Sequence, residues 1–261
     1  MSHPNGRFTW TDISLPDVMA GKAFYEAFFG WSGEDQFDPD GNLIYVMFSN
    51  GGRSVAGMGP MPEETQGLGI PPMWNSYINV DSVDGTIDAA VAAGGAIVMP
   101  ALDVMGAGRM AIISDPTGGV VSLWQSGDHA GADHFDDPGE MAWNELATRD
   151  VEAAKAFYAA VFDWTYETGD MPGGGFYTTI LLEGQPNGGV IAMDENWPAE
   201  VPPHWMVYFR VEDAIRAGKE LEELGGSISV PAFDTPAGKV AVVGDPQGGT
   251  YSIIGPPPQG S

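Results

Sequence analysis

Two carboxylates stand out in a chain that has no cysteine and only four histidines. Asp12 follows Trp10 by two residues, and Glu145 follows Trp143 by two. Residues two apart on an extended strand share a face, so each acid is set beside an indole. A carboxyl group held against apolar rings has its pKa pushed upward and becomes a general base able to take a proton from a bound organic molecule. Asp12 and Glu145 are therefore the candidate catalytic residues. An inward carboxylate also needs a local partner. Arg109 and Lys239, which match each other in the two halves of a chain with ten basic residues, are the cations the sequence offers to these acids or to a ligand, with surface solvation the favoured role for Lys239. The missing cysteines remove thiolate metal sites, thiol nucleophiles and disulfides.

The elements that must position these residues occur twice. Residues 10–31, WTDISLPDVMAGKAFYEAFFGW, align without a gap on residues 143–164, WNELATRDVEAAKAFYAAVFDW. Further matches follow in the same order: Pro71-Pro72-Met73-Trp74 with Pro202-Pro203-His204-Trp205, Gly94-Gly95 with Gly225-Gly226, and Asp115-Pro116-Thr117-Gly118-Gly119 with Asp245-Pro246-Gln247-Gly248-Gly249. Alternation predicts a strand from Phe8 to Leu15. Asp17 and Asp150 stand where helix N-caps belong, and AxKAFYxAxFxW has apolar residues at helical spacing. Short alternating runs at 44–49 and 54–58 predict antiparallel strands. A strand at 74–80 leads to a helix at 83–93 that stops at Gly94-Gly95. Strands at 96–99, 109–114 and 120–124 complete the unit, with Asp115-Pro116-Thr117-Gly118 as the turn between the last two. The pattern is an α+β fold built from four βαβββ modules. It divides into a first domain at 1–124, a linker at 125–140, a second domain at 141–254 and a fraying proline-rich tail at 255–261. Trp31 and Trp164, at the helix ends, are expected in the core.

Composition narrows the function classes. A net charge of −26 repels phosphate backbones and anionic membrane surfaces, which argues against nucleic acid and membrane as partners. No apolar stretch reaches the roughly 20 residues of a membrane helix, and residues 1–7 lack the apolar core of a signal peptide. The expected setting is the cytoplasm, as a monomer or homodimer.

The FY pair in the first helix, the tryptophan at its end and DPxGG before a last strand resemble the glyoxalase, bleomycin-resistance and extradiol dioxygenase superfamily, the vicinal oxygen chelate proteins. The two-copy form is similar to the glyoxalase-like antigens of mycobacteria and their actinomycete relatives, some of them labelled hydroxylases. The resemblance implies that paired modules curl into open barrels, two in this chain. In metal-dependent members, histidine or glutamate on the first strands and a carboxylate on the last strand hold a divalent cation. Those positions fall here on Trp10, Asn75 and Ser122 in the first copy and on Trp143, Met206 and Ser252 in the second. The remaining strand of each first module offers Val55-Ala56-Gly57 and Val190-Ile191-Ala192. No metal and no cofactor is expected from such a set.

By alternation from those positions the first cleft presents Trp10, Asp12, Asn75, Tyr77, Ser122 and Trp124. The second presents Trp143, Glu145, Met206, Tyr208 and Ser252, with His204 at its rim. An aromatic cleft with a few polar groups suits a flat, mostly apolar small molecule. The expected function is binding of such a ligand, with a metal-independent lyase, isomerase or glyoxalase-like detoxifying enzyme as the alternative and a scaffold as a third reading.

Overall fold

The protein is described by a computed structural model that covers residues 3–171 and 174–257. The first copy runs β1 (Phe8–Leu15), α1 (Val18–Phe29), β2 (Ser32–Phe37), β3 (Leu43–Asn50), β4 (Arg53–Pro60), α2 (Glu63–Gly67), β5 (Trp74–Asn79), α3 (Val83–Ala92), β6 (Ala96–Val104), β7 (Gly108–Ser114) and β8 (Val120–Ser126). The second runs β9 (Met141–Thr148), α4 (Val151–Phe162), β10 (Thr165–Asp170), β11 (Phe176–Leu182), β12 (Gln185–Ala192), β13 (His204–Arg210), α5 (Ala214–Glu223), β14 (Ser227–Thr235), β15 (Gly238–Gly244) and β16 (Thr250–Ile254). Two eight-stranded sheets result, ordered β2-β3-β4-β1-β5-β8-β7-β6 and β10-β11-β12-β9-β13-β16-β15-β14. Within each module the first and last strands are parallel, as in β1 with β4 and β5 with β8, and the rest pair antiparallel. The sheets are open, so the expected α+β duplication stands. The part of the expected tail from residue 258 onward lies outside the described residues.

Local chemistry explains the element boundaries. Asp17 and Asp150 each accept the N–H three residues on, from Ala20 and Ala153, both at 3.0 Å, which satisfies a donor the helix itself leaves open. α1 stops at Gly30, whose φ of 71° is left-handed. β6 continues to Val104, past the expected end at Met99. It lies at the edge of its sheet, where Pro100 costs no ladder bond, and its register shifts around that point. The five-residue helix α2 was not expected, because its EETQG has no apolar periodicity.

The chain forms two compact units. Among the described residues, the first comprises 3–10, 76–131, 143–171 and 174–206, and the second 11–75, 132–142 and 207–257. Each unit thus draws on both copies, and the same device holds both together. In the first, Oδ1 of Asp115 accepts the N–H of Thr117 and of Gly119 at 2.6 and 3.1 Å, closing the DPTGG turn. Its Oδ2 accepts the hydroxyl of Tyr158 on α4 at 2.9 Å, and that oxygen in turn accepts Trp205 Nε1–H at 2.8 Å. In the second, Asp245 accepts the N–H of Gln247 and of Gly249 and the hydroxyl of Tyr25 on α1, at 2.7, 2.9 and 2.7 Å, with Trp74 Nε1–H donating to Tyr25 at 3.2 Å. A Cβ on Gly119 or Gly249 would lie 2.5 or 2.4 Å from the Asp oxygen, which is why the final glycine of DPxGG is required. Trp31 and Trp164 are buried as expected, and their indole N–H groups donate to the carbonyls of Gly139 and Gly6.

Burial raises the pKa of Tyr25 and Tyr158 well above the usual phenol value of 10.0, helped by the charges of Tyr251 and Asp245 for Tyr25 and of Asp115 for Tyr158. A group held protonated in the folded state stabilises it fully below the unfolded pKa and loses that contribution as pH rises through the folded one. Urea unfolding should therefore show stability falling above about pH 10, with a shallower alkaline decline in Tyr25→Phe/Tyr158→Phe. At neutral pH each single Tyr→Phe change strands a buried indole N–H and a carboxylate oxygen and should lower stability by about 1–3 kcal/mol.

Candidate functional site

The carboxylates sit opposite glycines. In the register of β1 with β4, Asp12 faces Gly57, and in that of β9 with β12, Glu145 faces Gly189. Gly57 and Gly189 are thus the equivalent positions. The sequence pairing of Val55-Ala56-Gly57 with Val190-Ile191-Ala192 is therefore out of step with the strand register. The glycines make room for a tyrosine. A Cβ on Gly57 would lie 1.9 Å from the hydroxyl of Tyr45, and one on Gly189 would lie 1.9 Å from the hydroxyl of Tyr177. Each phenol lies across its glycine towards the acid.

In the second compact unit, Tyr45 O–H donates to Asp12 Oδ2 at 3.0 Å, and Asn75 Nδ2–H donates to Oδ1 at 2.9 Å. Asp12 is buried at 9% exposure. In the first unit, Tyr177 hydrogen-bonds Glu145, and Trp143 Nε1–H donates to the Tyr177 hydroxyl at 2.8 Å. Burial raises the Tyr177 pKa well above the phenol range, with the charge of Glu145 and the bond to it adding to the shift. Both copies therefore hold a carboxylate–tyrosine pair on the sheet face. Arg109 and Lys239 do not serve these acids: Arg109 is bound to Asp84 and Asp103, and Lys239 to Asp234. Each cation stands on a strand next to the sheet edge, β7 or β15, within reach of an edge-strand aspartate.

The remaining site residues fall by unit. The first holds Trp10, Tyr77, Ser122, Trp124, Trp143, His204 and Met206, and the second holds Asp12, Asn75, Tyr208 and Ser252. Tyr77 is in register with Ser122, and Tyr208 with Ser252. The Oγ atoms of both serines are buried and make no hydrogen bond. His204 is half-buried, with Nδ1–H donating to the Pro202 carbonyl at 2.9 Å, and Trp197 lies 6.1 Å from its ring. Sequence reasoning missed Tyr45 and Tyr177. Their signal was a shared spacing to the glycines, Tyr45 to Gly57 and Tyr177 to Gly189. It also missed His129 of the linker, whose ring stands edge-on to Trp10 at 4.5 Å.

The family pattern named glyoxalase/bleomycin resistance protein/dioxygenase superfamily matches residues 7–123 and again 128–251. The chain belongs to this superfamily. Two members are similar along nearly their whole length. The protein named "Putative glyoxylase CFP32" from Mycobacterium tuberculosis is 40% identical over 255 residues, 97% of this chain and 96% of the relative. The anthracycline biosynthesis protein DnrV of Streptomyces peucetius is 32% identical over 272 residues, 95% and 93% of the two chains. Among solved structures of the superfamily, the 2,3-dioxygenase LapB from Pseudomonas sp. KL28 superposes with a TM-score of 0.64 at 12% identity, over 98% of this chain and 95% of its own. The Mn(II)-bound glyoxalase from Novosphingobium aromaticivorans gives 0.64 at 16% identity, over 96% and 82%. These two likenesses concern the fold.

The fold family implies a metal, and the donor set at the matching positions does not fit one. Indole N–H is a donor only, and a serine hydroxyl or a thioether is a poor ligand for a hard divalent cation. Both oxygens of Asp12 already accept hydrogen bonds. Among the described residues, one His/Asp/Glu group lies close enough to share an ion: His134, Asp137 and Glu140 of the linker. There the Arg53 guanidinium reaches Glu140 at 2.7 Å and Asp137 at 3.1 Å, so a cation already sits among these acids.

Gly189→Ala should push Tyr177 off the sheet, because its new methyl would lie 1.9 Å from the hydroxyl and 3.0 Å from Trp143 Nε1. The expected loss is about 1–3 kcal/mol in urea unfolding, with a changed tryptophan emission spectrum from the exposed Trp143.

Proposed function

We propose that this protein binds a small, mostly apolar or aromatic organic molecule in a tryptophan-lined cleft without the help of a metal. The observation that carries this reading is the pair of buried hydroxyls, Ser122 and Ser252, that make no hydrogen bond. Each stands on the strand where the superfamily resemblance implies a metal-binding carboxylate. A buried hydroxyl without a partner costs about 1–3 kcal/mol, which a ligand carrying a polar group would recover. Tryptophan at 10 and 143 and a polarised acid at 12 and 145 supply an apolar wall with one fixed polar anchor. The relative named for anthracycline biosynthesis supports the same ligand class, since anthracyclines are flat fused-ring aromatics.

An enzymatic reading draws on a separate observation. Each acid is held by a phenol, Tyr45 or Tyr177, that could pass a hydrogen bond to a reacting oxygen while Asp12 or Glu145 accepts a proton. The name of the glyoxylase relative supports this alternative.

Metal analysis and titration separate the readings. Chelator-treated protein should contain no stoichiometric metal and should still quench its tryptophan emission on addition of a fused-ring aromatic. Trp143→Ala should weaken that binding at least about tenfold. Stoichiometric, tightly held metal needed for binding would overturn the reading. Turnover of the ligand that disappears in Glu145→Gln or Asp12→Asn would move the assignment to the enzyme.

A further inference from the structure

The two clefts are equivalent in sequence, but their tryptophans are not equally accessible. Trp10 is 4% exposed, whereas its counterpart Trp143 is only half-buried. The difference comes from the linker. After β8 the chain turns back over the β6–β7 hairpin, where the N–H groups of Gly127 and His129 both reach the Ala107 carbonyl, at 2.9 and 3.0 Å. Trp124 Nε1–H donates to the His129 carbonyl at 2.9 Å. So pinned, the imidazole meets Trp10 edge-on at 4.5 Å and Trp124 at 5.9 Å. The segment then passes so close to β1 that a Cβ on Gly131 would lie 2.6 Å from the Thr9 carbonyl oxygen. A nitrogen-bearing aromatic ring of the chain itself thus covers the first tryptophan, while the second stays half-buried.

Charge then selects what Trp143 receives. The anchor beside it, Glu145, is an acid hydrogen-bonded by a neutral phenol. His204 at the rim donates through Nδ1 to the Pro202 carbonyl. Most cations able to meet an anionic ligand are committed elsewhere. Seven of the ten Lys and Arg residues are ion-paired, and Arg149 donates to the carbonyls of Pro198 and Val201. The net charge of −26 acts in the same direction.

We infer that the second cleft is the working ligand site, that it takes an aromatic molecule carrying a protonated nitrogen placed on Glu145, and that His129 occupies the first cleft as a built-in plug. This inference rests on the proposed binding function and adds the choice of cleft and the ligand class. An aromatic cation lies on indole and pairs with carboxylate at once, two attractions an aromatic anion forfeits.

The test is calorimetric titration of the intact protein at physiological ionic strength with three matched probes: 2-naphthylmethylamine, 2-naphthalenemethanol and 2-naphthoate. The amine should bind with one site per chain and at least about tenfold more tightly than the carboxylate, a difference of about 1.4 kcal/mol. Glu145→Gln should reduce that preference to less than about threefold, while the exposed control Glu34→Gln should leave it unchanged. His129→Ala should raise the stoichiometry towards two. Equal or tighter binding of the naphthoate, loss of the preference in Asp12→Asn instead of Glu145→Gln, two sites in the unaltered chain, or one site in His129→Ala would each overturn the inference while leaving an aromatic-binding cleft standing. Failure of all three probes to bind would overturn the binding function beneath it.

Discussion

Everything in this molecule depends on a tyrosine of one copy reaching a turn aspartate of the other. Tyr158 of the second copy closes on Asp115 of the first, and Tyr25 of the first closes on Asp245 of the second. Each aspartate is nearly fully buried, at 3% and 4% exposure, and each is saturated by two backbone N–H groups and a phenol that an indole also addresses. A buried carboxylate is tolerable only with such a complement of donors. The two FY helices and the two DPxGG turns are therefore parts of one reciprocal device, and each compact unit contains half of each copy.

That arrangement leaves the sheet faces free to diverge. Parallel pairing of the first and last strand of each module brings Asp12 opposite Gly57 and Glu145 opposite Gly189, and the glycines let Tyr45 and Tyr177 lie flat against the acids. The acids are thus held by neutral donors in a polar spot within an aromatic wall.

Much of this was legible beforehand. Duplication, the helix caps at Asp17 and Asp150, the Asp115 and Asp245 turns and the burial of Trp31 and Trp164 all rest on local chemistry, and local chemistry is written in short strings of residues. Acid and indole on one strand face followed from a spacing of two. The tyrosine partners did not, because Tyr45 and Asp12 are separated by 33 residues and meet only through strand register. Arg109 as a partner of the acids was a misreading, because Asp84 on the helix and Asp103 on the adjoining strand took it, whereas Lys239 pairs with Asp234 at the surface as expected.

Sequence by itself determined the fold class and the family, since repeated caps, turns and alternation are short-range properties that survive without knowledge of distant neighbours. Tertiary structure alone decided that each compact unit mixes the two copies, that each acid is clasped by a phenol across a glycine, and that Trp10 lies under His129 while Trp143 stays half-open. Those facts depend on which strands pair and where the linker returns, neither of which local pattern specifies.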